Sequence, residues 1–468
     1  MSAILFVLVL TVSSVQAADT NGSGDIVGIS DDQPVIAASD SDEIVAASDD
    51  EPIVGVADDK AVLSASKAEP TISSAKEVTV AKSVSSQDAQ KIGKSISADD
   101  NQKVGKAKST KKVRTFSALA TKINNAKPNS VLVVSGVFKY SPRYDSEYKE
   151  GIPIMKNIKI VGKHCIVDGR GKARCFGIHE GKVTLRSITI RNGYMANGNG
   201  GGILLNTHCK LILKKCVLKN NVAYKANGGA VACNDHTILI SSDSKFYYNK
   251  AIRASSKKWP YDQRGMGGAI EMNPASKLSM YNSLFKRNYG FVSNVLVMSN
   301  SNGVIKTSSV YVKNCVFTRN TADINGAFYL DEYGKGKFIN SKFKNNNVRK
   351  EGGALVLDAS KSALVKNCHF SGNTGYVGGA IDLFKFKNSV SHVTITGCKF
   401  IKNKARNAGG AIYSYYGILK VVKSQFISNS AASSGGAIFL EGGKFTNKNN
   451  KFVNNKAPKV GPNYYWKR

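Results

Sequence analysis

The sequence has little helical patterning, which excludes most α-helical folds. In its repeating part, no stretch of roughly 10–12 residues has apolar residues at the spacing of a buried helix. The apolar run from Ile4 to Val12 is nine residues long, and the chain ends at Asn463 to Arg468 without an apolar run. A transmembrane helix needs roughly 20 apolar residues. We therefore expect no transmembrane helix in the mature chain.

Phrases typical of catalytic and metal sites are also missing. None of the six histidines lies in a recognisable catalytic phrase, and no cysteines and histidines have the spacing of a zinc site. No nucleic-acid-binding motif accompanies the basic charge. The sequence therefore predicts no resident metal or other cofactor and no nucleic-acid partner.

Lysine and arginine are absent before Lys60. Residues 1–17 contain the apolar run followed by small residues up to Ala17, the pattern of a secretory signal peptide, although no basic residue precedes the run. Residues 18–59 form an acidic low-complexity segment, and residues 60–112 form a linker rich in Lys, Ser and Ala. We interpret this leader as disordered and expect the protein to be secreted, extracellular or associated with a cell surface.

The charge is distributed unevenly along the chain. Twelve of the 33 acidic residues precede Lys60 and all 66 basic residues lie at or after it, so residues 60–468 carry a net charge of +45. This charge favours a polyanionic partner such as an acidic glycan, an anionic cell-wall polymer or another cell surface. The alternative is that lysines only fill outward strand positions and prevent sideways aggregation.

The chain contains a repeat instead of helices. A Phe-x-x-Asn signal begins at Phe246, Phe285, Phe317, Phe343, Phe370, Phe400, Phe426 and Phe452, with weaker forms that end at Asn192 and Asn221. Gly pairs such as Gly409-Gly410 alternate with this signal, and the shortest and commonest spacing between successive Asn residues is 26. One such unit cannot bury its own apolar face, so the repeat indicates a solenoid.

Each repeat has three short runs typical of β-strands, separated by turn residues. Around Gly409 they are residues 411–413, 418–422 and 425–427. We therefore predict an all-β parallel β-helix with three strands per coil and roughly 4.8 Å between coils. The Phe residues should stack inside, the Asn residues should form a ladder at one turn, and the Gly pairs should supply positive-φ corners.

A Cys or Ser stands two residues before each repeated Phe or its equivalent, as at Cys216, Ser244, Cys368 and Cys398. This exchange predicts a position for small buried side chains, with the thiols free. A disulfide between Cys368 and Cys398, on adjacent coils, is the alternative.

The start of the repeating domain, residues 113–468, carries a family resemblance. Residues 116–126 have a helical apolar face suited to plugging the tube, a strand ending in Gly136 follows, and the phrases at residues 160–169 and 185–193 read Ile-x-Gly…Val-Asp-Gly and Leu-x-x-Ile-Thr-Ile-x-Asn-Gly. These features resemble the opening of pectin-lyase-like right-handed β-helices. The Gly-Gly-Ala-Ile and Phe-x-x-Asn repeats are similar to those of polymorphic outer-membrane proteins and, with the acidic leader, of adhesin-like surface proteins of methanogenic archaea. The resemblance implies a right-handed single-stranded β-helix.

Two sets of outward residues are candidate sites. Asp331, Asp358 and Asp382 are expected on consecutive coils, where three carboxylates suit acid–base chemistry or calcium binding. The opposing interpretation is that Lys350, Lys361 and Lys385 neutralise them. Glu271 and Asp382 lie four coils apart, roughly 19 Å, which is too far for a glycosidase carboxyl pair.

Aromatic and basic residues offer binding sites. Tyr329, Tyr413 and Phe439 are expected in an outward column that suits stacking on sugar rings, although they are equally explained as ordinary strand aromatics. The longest interval between repeats contains an insertion with Lys257, Lys258, Trp259, Tyr261 and Arg264. Such a loop on a rigid scaffold suits recognition of an anionic glycan.

We therefore expect an adhesin-like surface protein that binds carbohydrate or an anionic cell-wall polymer. The alternative is a polysaccharide lyase or glycoside hydrolase that acts on acidic glycans, with Asp331, Asp358 and Asp382 as catalytic residues.

Overall fold

The computed structural model describes residues 113–253, 265–298, 300–301, 304–305, 307–331, 333–358, 362–385 and 390–467. All of them lie in one compact unit, Gln102–Arg468. The predicted signal peptide, acidic segment and linker fall outside the described residues, as do the insertion residues Lys257, Lys258, Trp259, Tyr261 and Arg264. Predictions for those segments stay predictions.

One α-helix, α1 (Phe116–Asn125), follows the first short strand of the described chain. It buries Phe116, Leu119, Ala120 and Ile123, the apolar face that the sequence predicts. Its first backbone N–H groups, of Phe116 and Ser117, donate to the buried carboxylate of Asp145 at 3.1 and 2.9 Å. An acceptor at this end satisfies N–H groups that lack helical partners and interacts favourably with the helix dipole. A short 3-10 turn, Ser146–Tyr148, follows Asp145.

The strands form three parallel sheets and one small hairpin. Sheet I has 22 strands: β1 Val113–Thr115, β2 Val131–Lys139, β4 Ile158–Asp168, β6 Lys182–Arg191, β9 Lys210–Lys214, β10 Val217–Lys219, β13 Ile238–Ser242, β14 Lys245–Tyr247, β17 Lys277–Tyr281, β18 Leu284–Lys286, β23 Ser309–Lys313, β24 Val316–Thr318, β27 Lys335–Ile339, β28 Lys342–Lys344, β31 Ser362–Lys366, β32 His369–Ser371, β35 His392–Thr396, β36 Lys399–Ile401, β39 Ile418–Val422, β40 Gln425–Ile427, β43 Lys444–Lys448 and β44 Lys451–Val453.

Sheet II has 9 strands: β7 Tyr194–Ala196, β11 Val222–Tyr224, β15 Lys250–Ile252, β19 Tyr289–Gly290, β25 Thr321–Ala322, β29 Asn347–Val348, β33 Thr374–Gly375, β37 Lys404–Ala405 and β41 Ser430–Ala431. Sheet III has 12: β3 Ile152–Met155, β5 Phe176–Glu180, β8 Ile203–Leu205, β12 Val231–Cys233, β16 Ile270–Met272, β20 Val295–Val297, β26 Phe328–Leu330, β30 Leu355–Asp358, β34 Ile381–Phe384, β38 Ile412–Tyr415, β42 Ile438–Glu441 and β45 Tyr464–Lys467. The antiparallel hairpin is β21 Asn300–Ser301 with β22 Val304–Ile305.

The chain is a right-handed parallel β-helix, as the sequence predicts. In one coil it runs along sheet III in β34, along sheet I in β35 and β36, and along sheet II in β37. The three-strand prediction is therefore wrong in one respect, because coils from β8 onward have two short strands in sheet I, whereas β2, β4 and β6 of the first coils are each one continuous strand. A residue with positive φ, such as Asn367 at 53°, separates these two strands and bends the sheet.

The predicted Phe column is confirmed. Phe317, Phe343, Phe370, Phe400 and Phe426 are all fully buried, and their rings stack on consecutive coils with centroids 4.7–4.9 Å apart. The spacing follows from the strand separation, because parallel strands in register place equivalent side chains one above the other.

The predicted Asn ladder is also confirmed, from Asn221 to Asn455. At Asn373, the side-chain amide donates to Asn403 Oδ1 at 2.9 Å and to the Phe343 carbonyl at 2.9 Å. Its own oxygen accepts from the backbone and side-chain N–H groups of Asn346. Asn192 is not a rung, because Ile190 pairs with Leu218 and Gly193 donates its backbone N–H to Asn221.

The Cys and Ser column forms a second ladder that the sequence does not reveal. Each side chain accepts a hydrogen bond from the backbone of the preceding coil, for example from Cys368 N to Cys398 Sγ at 3.3 Å and from Cys398 N to Ser424 Oγ at 3.1 Å. All eight cysteines are free and buried. Cys and Ser exchange here because both are small and both can accept this bond.

Candidate functional site

The outer surface of sheet I from β9 to β44 carries lysine without acid. Seventeen lysines stand on these strands, and none of the strands contains aspartate or glutamate. We call this surface the lysine face, and its members are Lys210, Lys214, Lys219, Lys245, Lys277, Lys286, Lys313, Lys335, Lys337, Lys342, Lys344, Lys366, Lys399, Lys420, Lys444, Lys448 and Lys451. The acids of the described residues in these coils lie on sheet III and in the turns, and the short strands of sheet II carry none, so the acids are segregated from the strands of the lysine face.

The register arranges these lysines in rows. Lys342, His369, Lys399, Gln425 and Lys451 occupy one position on five successive coils. Lysines two coils apart are therefore separated by roughly 10 Å. This arrangement fixes a regular line of positive charge along the coils.

The lysine face has few acids nearby. Asp243, in the turn between β13 and β14, is exposed and accepts from the Asn282 amide at 3.1 Å. Among the described residues, the ion pairs join Arg191 to Asp168, Arg349 to Asp323 and Lys467 to Glu441, and none uses a lysine of this face. His369 lies among three of the lysines, and burial together with the charges of Lys399, Lys342 and Lys344 lowers the pKa of its imidazole. The surface thus carries a positive potential that suits an anion.

The outward positions of sheet III form the predicted second site. Glu271, Leu296, Tyr329, Val356, Asp382, Tyr413 and Phe439 occupy one register column. Glu271 and Asp382 are four coils apart, as predicted, so they do not form a carboxyl pair.

This column points outward but is largely covered. Glu271 and Asp382 are each 1% exposed, and Phe439 is 8% exposed. The Gly-containing turn that precedes each strand folds over the column: a Cβ on Gly352 would lie 2.5 Å from Asp382 Cβ. Alternation along the strand correctly predicts that these side chains point away from the core, but it does not predict that a turn covers them. The expectation that Asp382 and Phe439 are accessible to solvent is therefore wrong.

Asp331 and Asp358 are brought together by Tyr329. The phenol O–H of Tyr329 lies 2.9 Å from Asp331 Oδ1 and 3.1 Å from Asp358 Oδ2. Both carboxylates are half-buried, and burial together with their charges raises the pKa of Tyr329. The Tyr329 hydroxyl fills the gap between the two carboxylates and stays protonated. Its polar end therefore already contacts two acids of the protein.

Asp382 has a different acidic neighbour. Burial, the charge of Glu351 and a hydrogen bond with Glu351 raise the pKa of Asp382, and the charge of Asp358 adds to this effect. Glu271 is a second buried acid, and burial with the charge of Asp235 raises its pKa to about 8. In both carboxyls the protonated form is favoured because the charged form is poorly solvated there.

The lysines predicted to neutralise these acids behave differently. Burial raises the pKa of Glu351, and its hydrogen bond with Asp382 and the charge of Lys350 only partly oppose this rise. Lys361 lies outside the described residues. Lys385 instead places its ammonium 5.5 Å from the centre of the Tyr416 ring. The prediction that Lys385 pairs with an acid is not supported by this contact.

The most exposed rings beside this column are not the predicted ones. Tyr413 is half-buried, stacks on Phe439 with centroids 5.4 Å apart and donates to Glu441 Oε2 at 3.2 Å. Next to the column, Phe384 is 39% exposed and Tyr416 is 44% exposed, with half-buried Tyr415 between them. They lie two or three positions after the predicted column, where the strand leaves the cover of the Gly turn.

A separate groove of about 710 Å³ lies over the first coils. Lys139, Asp168, Arg170, Asn192 and Tyr194 contribute to its lining. Asp168 already accepts from Arg191 at 2.8 Å and from the Asn192 amide at 3.0 Å. Its charge is therefore compensated inside the wall of the groove.

The described part of the chain holds no group of three or more His, Cys, Asp and Glu side chains placed to bind a metal ion. Among the described residues, no helix has the length and hydropathy to cross a membrane.

Comparisons with known proteins agree with the fold. A family model described as "Right handed beta helix region" matches residues 269–457. A comparison with curated proteins gives no match. Similar solved structures include a surface adhesin of Streptococcus pneumoniae, PfbA, at 12% identity and a TM-score of 0.41, covering 72% of this chain and 85% of that one. A mannuronic acid specific polysaccharide family 6 lyase from human gut microbiota has 12% identity and a TM-score of 0.36, covering 75% and 84%. The residues that match the family model have the parallel register and coil order of a right-handed β-helix.

Proposed function

We propose that this protein is a secreted, surface-associated, adhesin-like protein that binds an anionic polysaccharide or cell-wall polymer along its lysine face. The observation that carries the proposal is the segregation of charge, since seventeen lysines and no acid stand on the strands of sheet I from β9 to β44.

Protection from aggregation alone does not explain this segregation. Charges of both signs keep a surface soluble, and acids serve that purpose at least as well as lysines. Lysine that blocks sheet pairing is needed at edge strands. The lysine face is instead the broad surface of a sheet whose strands are paired on both sides. A partner of opposite charge explains why acids are missing from it.

A regular polyanion gains affinity from many weak contacts. One exposed ion pair contributes about 0–1 kcal/mol. A rigid row of lysines with roughly 10 Å spacing contacts several anionic groups of one polymer. After the first contact forms, the others are intramolecular, so the overall affinity exceeds that of any single contact. Such binding weakens steeply with salt, because the Debye length falls to about 3 Å at 1 M.

The test compares two triple variants with the same change in net charge. Lys342, Lys344 and Lys399 surround His369 on the lysine face, while Lys250, Lys404 and Lys456 are exposed on sheet II or in its last turn. We expect glutamine at the first three positions to weaken binding of isolated anionic wall polymer or polyuronate at low salt by roughly tenfold. Glutamine at the second three should have a much smaller effect. Equal loss in both variants would show that only net charge matters and would contradict the proposal.

The insertion is a second proposed contact. Lys257, Lys258 and Arg264 would set approach and orientation, and Trp259 and Tyr261 would supply contacts that survive high salt. We expect a Lys257/Lys258/Arg264→Ser variant to lose the salt-sensitive part of binding and Trp259→Ala the salt-resistant part. If both bind like the wild-type protein at every salt concentration, the insertion is passive.

The alternative function is a polysaccharide lyase or glycoside hydrolase that uses Asp331, Asp358 and Asp382. What favours it is the shared Tyr329 hydroxyl, within 3.1 Å of both Asp331 and Asp358. Two carboxylates that share one hydrogen-bond donor are at most about 6 Å apart, within the range of glycosidase pairs. Two observations oppose it. The Tyr329 hydroxyl fills the gap between Asp331 and Asp358, and the Gly352 turn covers Asp382.

The enzyme alternative is tested by product assays. If it holds, Asp331→Asn, Asp358→Asn and Asp382→Asn should each abolish formation of reducing ends or unsaturated products from acidic polysaccharides while the proteins stay folded. Absence of cleavage by the wild-type protein would leave the binding function standing. Calcium, the possible cofactor of this alternative, is tested by titrating the wild-type and Asp358→Asn proteins.

A further inference from the structure

Three aromatic rings and one lysine form a compact exposed group where sheet III turns into sheet I. Phe384 ends β34, Lys385 follows it, and Tyr415 ends β38 one coil later, with Tyr416 next in the chain. The Phe384 and Tyr415 rings stack with centroids 5.1 Å apart and planes at 14°. Tyr416 meets Tyr415 edge-on at 4.8 Å and 80°. We call these four residues the aromatic platform.

The platform is exposed where most comparable rings are buried. The stacked Phe residues of the core are fully buried, whereas Phe384 and Tyr416 are 39% and 44% exposed. Single exposed apolar residues are ordinary on protein surfaces. A cluster of three rings on two adjacent coils, rimmed by charged groups, is the kind of patch that marks an interaction site.

The Tyr416 ring is held between two neighbours at the corner between sheets III and I. Tyr416 has φ of 50°, and the same corner has positive φ on other coils, as at His208, His236 and Tyr333, so this backbone conformation belongs to the fold. The next coil provides room for the ring, because a Cβ on Gly442 would lie 2.5 Å from it. On the other side, the Lys385 ammonium lies 5.5 Å from the ring centre.

Polar groups flank the rings on the neighbouring coils. Asp358 pairs with Phe384 in the register, and Glu441 pairs with Tyr415. Asp358 already accepts from Tyr329, and Glu441 already accepts from Tyr413 and Lys467, so these carboxylates form a fixed polar border. Lys385 can donate a hydrogen bond to an oxygen of a ligand. An apolar surface with such a rim matches a pyranose, which has an apolar C–H face and hydroxyl groups around its edge.

We propose that the aromatic platform is a carbohydrate subsite that stacks one or two pyranose rings of a glycan. This inference rests on the proposed function and adds to it a second kind of contact. The chain runs from Tyr416 through Gly417 directly into β39, which carries Lys420 of the lysine face. A glycan on the lysine face therefore reaches the platform across a single turn.

The lysine face and the aromatic platform bind through different interactions, so their contributions to affinity can be measured separately. Contacts of the lysine face are screened by salt, while stacking on the platform is not. A uronic acid polymer would use both surfaces, and the same polymer with its carboxyl groups reduced to alcohols would use only the platform.

The experiment measures binding of the full chain to immobilised hexasaccharides at about 50 mM and about 1 M sodium chloride. The panel contains uronic-acid hexasaccharides, their carboxyl-reduced forms and neutral hexasaccharides of glucose, mannose, galactose and N-acetylglucosamine. The variants are Phe384→Ala and Tyr416→Asn. Tyr376→Ala is the matched control, since Tyr376 is 45% exposed and lies outside the platform.

We expect Phe384→Ala and Tyr416→Asn each to weaken binding at high salt by about 2- to 10-fold. The Tyr376→Ala and Lys342/Lys344/Lys399→Gln proteins should bind as the wild type does at high salt. Tyr416→Asn should keep or raise the unfolding temperature, because asparagine tolerates positive φ. A loss of binding in that variant therefore cannot come from unfolding.

Three results would overturn the proposal. In the first, the wild-type protein retains no hexasaccharide of the panel at high salt. In the second, the platform variants bind as tightly as the control. In the third, Phe384→Ala abolishes a concentration-dependent self-association seen by sedimentation, which would identify a second copy of the chain as the occupant. If the lysine variants have no effect at low salt while the platform variants weaken binding at high salt, the carbohydrate subsite is supported and the proposed role of the lysine face is contradicted.

Discussion

Replacement of Asn373 by alanine tests whether the Asn ladder supports the coils. Asn373 is fully buried, and its side-chain oxygen accepts from the Asn346 backbone N–H at 3.0 Å and from the Asn346 amide at 2.9 Å. Both donors lose their acceptor in Asn373→Ala. A buried donor without a partner costs about 1–3 kcal/mol, so the two together should cost about 2–6 kcal/mol. The Phe343 carbonyl and Asn403 Oδ1 each lose a donor as well.

Asn373→Asp separates hydrogen bonding from shape. Aspartate keeps the accepting oxygen but places its second oxygen against the Phe343 carbonyl and Asn403 Oδ1, where the wild-type amide donates. The folded state then favours the protonated acid, so the folded pKa exceeds the unfolded value of about 3.9. The unfolded chain releases its proton first as pH rises. Stability should therefore fall above about pH 4, by up to about 1.4 kcal/mol per pH unit, until the folded pKa is passed.

The assay is urea unfolding followed by far-ultraviolet circular dichroism, with the slope m compared between variants. Asn455→Ala is the internal control, because Asn455 is the last rung of the ladder and is 6% exposed, so water can replace its bonds. A cost below about 1 kcal/mol for Asn373→Ala, or a pH-independent Asn373→Asp protein, would refute the reasoning.

Three further predictions concern the core and its buried ionisable groups. Phe370→Ala should lower the free energy of unfolding by about 3–5 kcal/mol, measured by the same urea titration, because it opens a cavity between the rings of Phe343 and Phe400. Burial raises the pKa of Glu271 from 4.5 to about 8, so the unfolded chain loses this proton first and stability falls as pH rises between those values. Glu271→Gln should remove that fall in a series of urea titrations across this pH range. Burial also raises the pKa of Cys315 to about 12, so iodoacetamide should label its thiol only after unfolding; labelling of the native protein at neutral pH would contradict this.

The interior of the β-helix was predictable because it obeys a strict period. Phe370 and Asn373 recur at fixed separations, and parallel strands in register turn such a sequence column into a physical stack. The capping helix was predictable for a similar reason, since Phe116, Leu119 and Ile123 follow helical spacing. The register error at Asn192 arose where the repeat is weakest, because Ile190 and Gly193 replace the Phe and Asn that mark later coils.

The outer surface was less predictable because direction and exposure are different properties. Alternation correctly places Asp382 on the outward side, but whether it meets solvent depends on how the Gly352 turn folds back, which is a tertiary event. Exposure returns only at Phe384, beyond the turn. The lysine face can be read from the sequence once strand bounds are known, because it depends on which strands carry the lysines; the net charge of the whole domain does not reveal it.

The direction of the hydrogen bonds in these ladders determines how the protein responds to force. Each bond joins one coil to the next, so tension applied through the chain peels coils from an end and loads the coils in series. A 26-residue coil such as that between Asn403 and Asn429 occupies one layer of roughly 4.8 Å and releases about 90 Å of extended chain when it unwinds. Each coil released therefore becomes about twentyfold longer, while the coils that remain wound keep their outer surface intact.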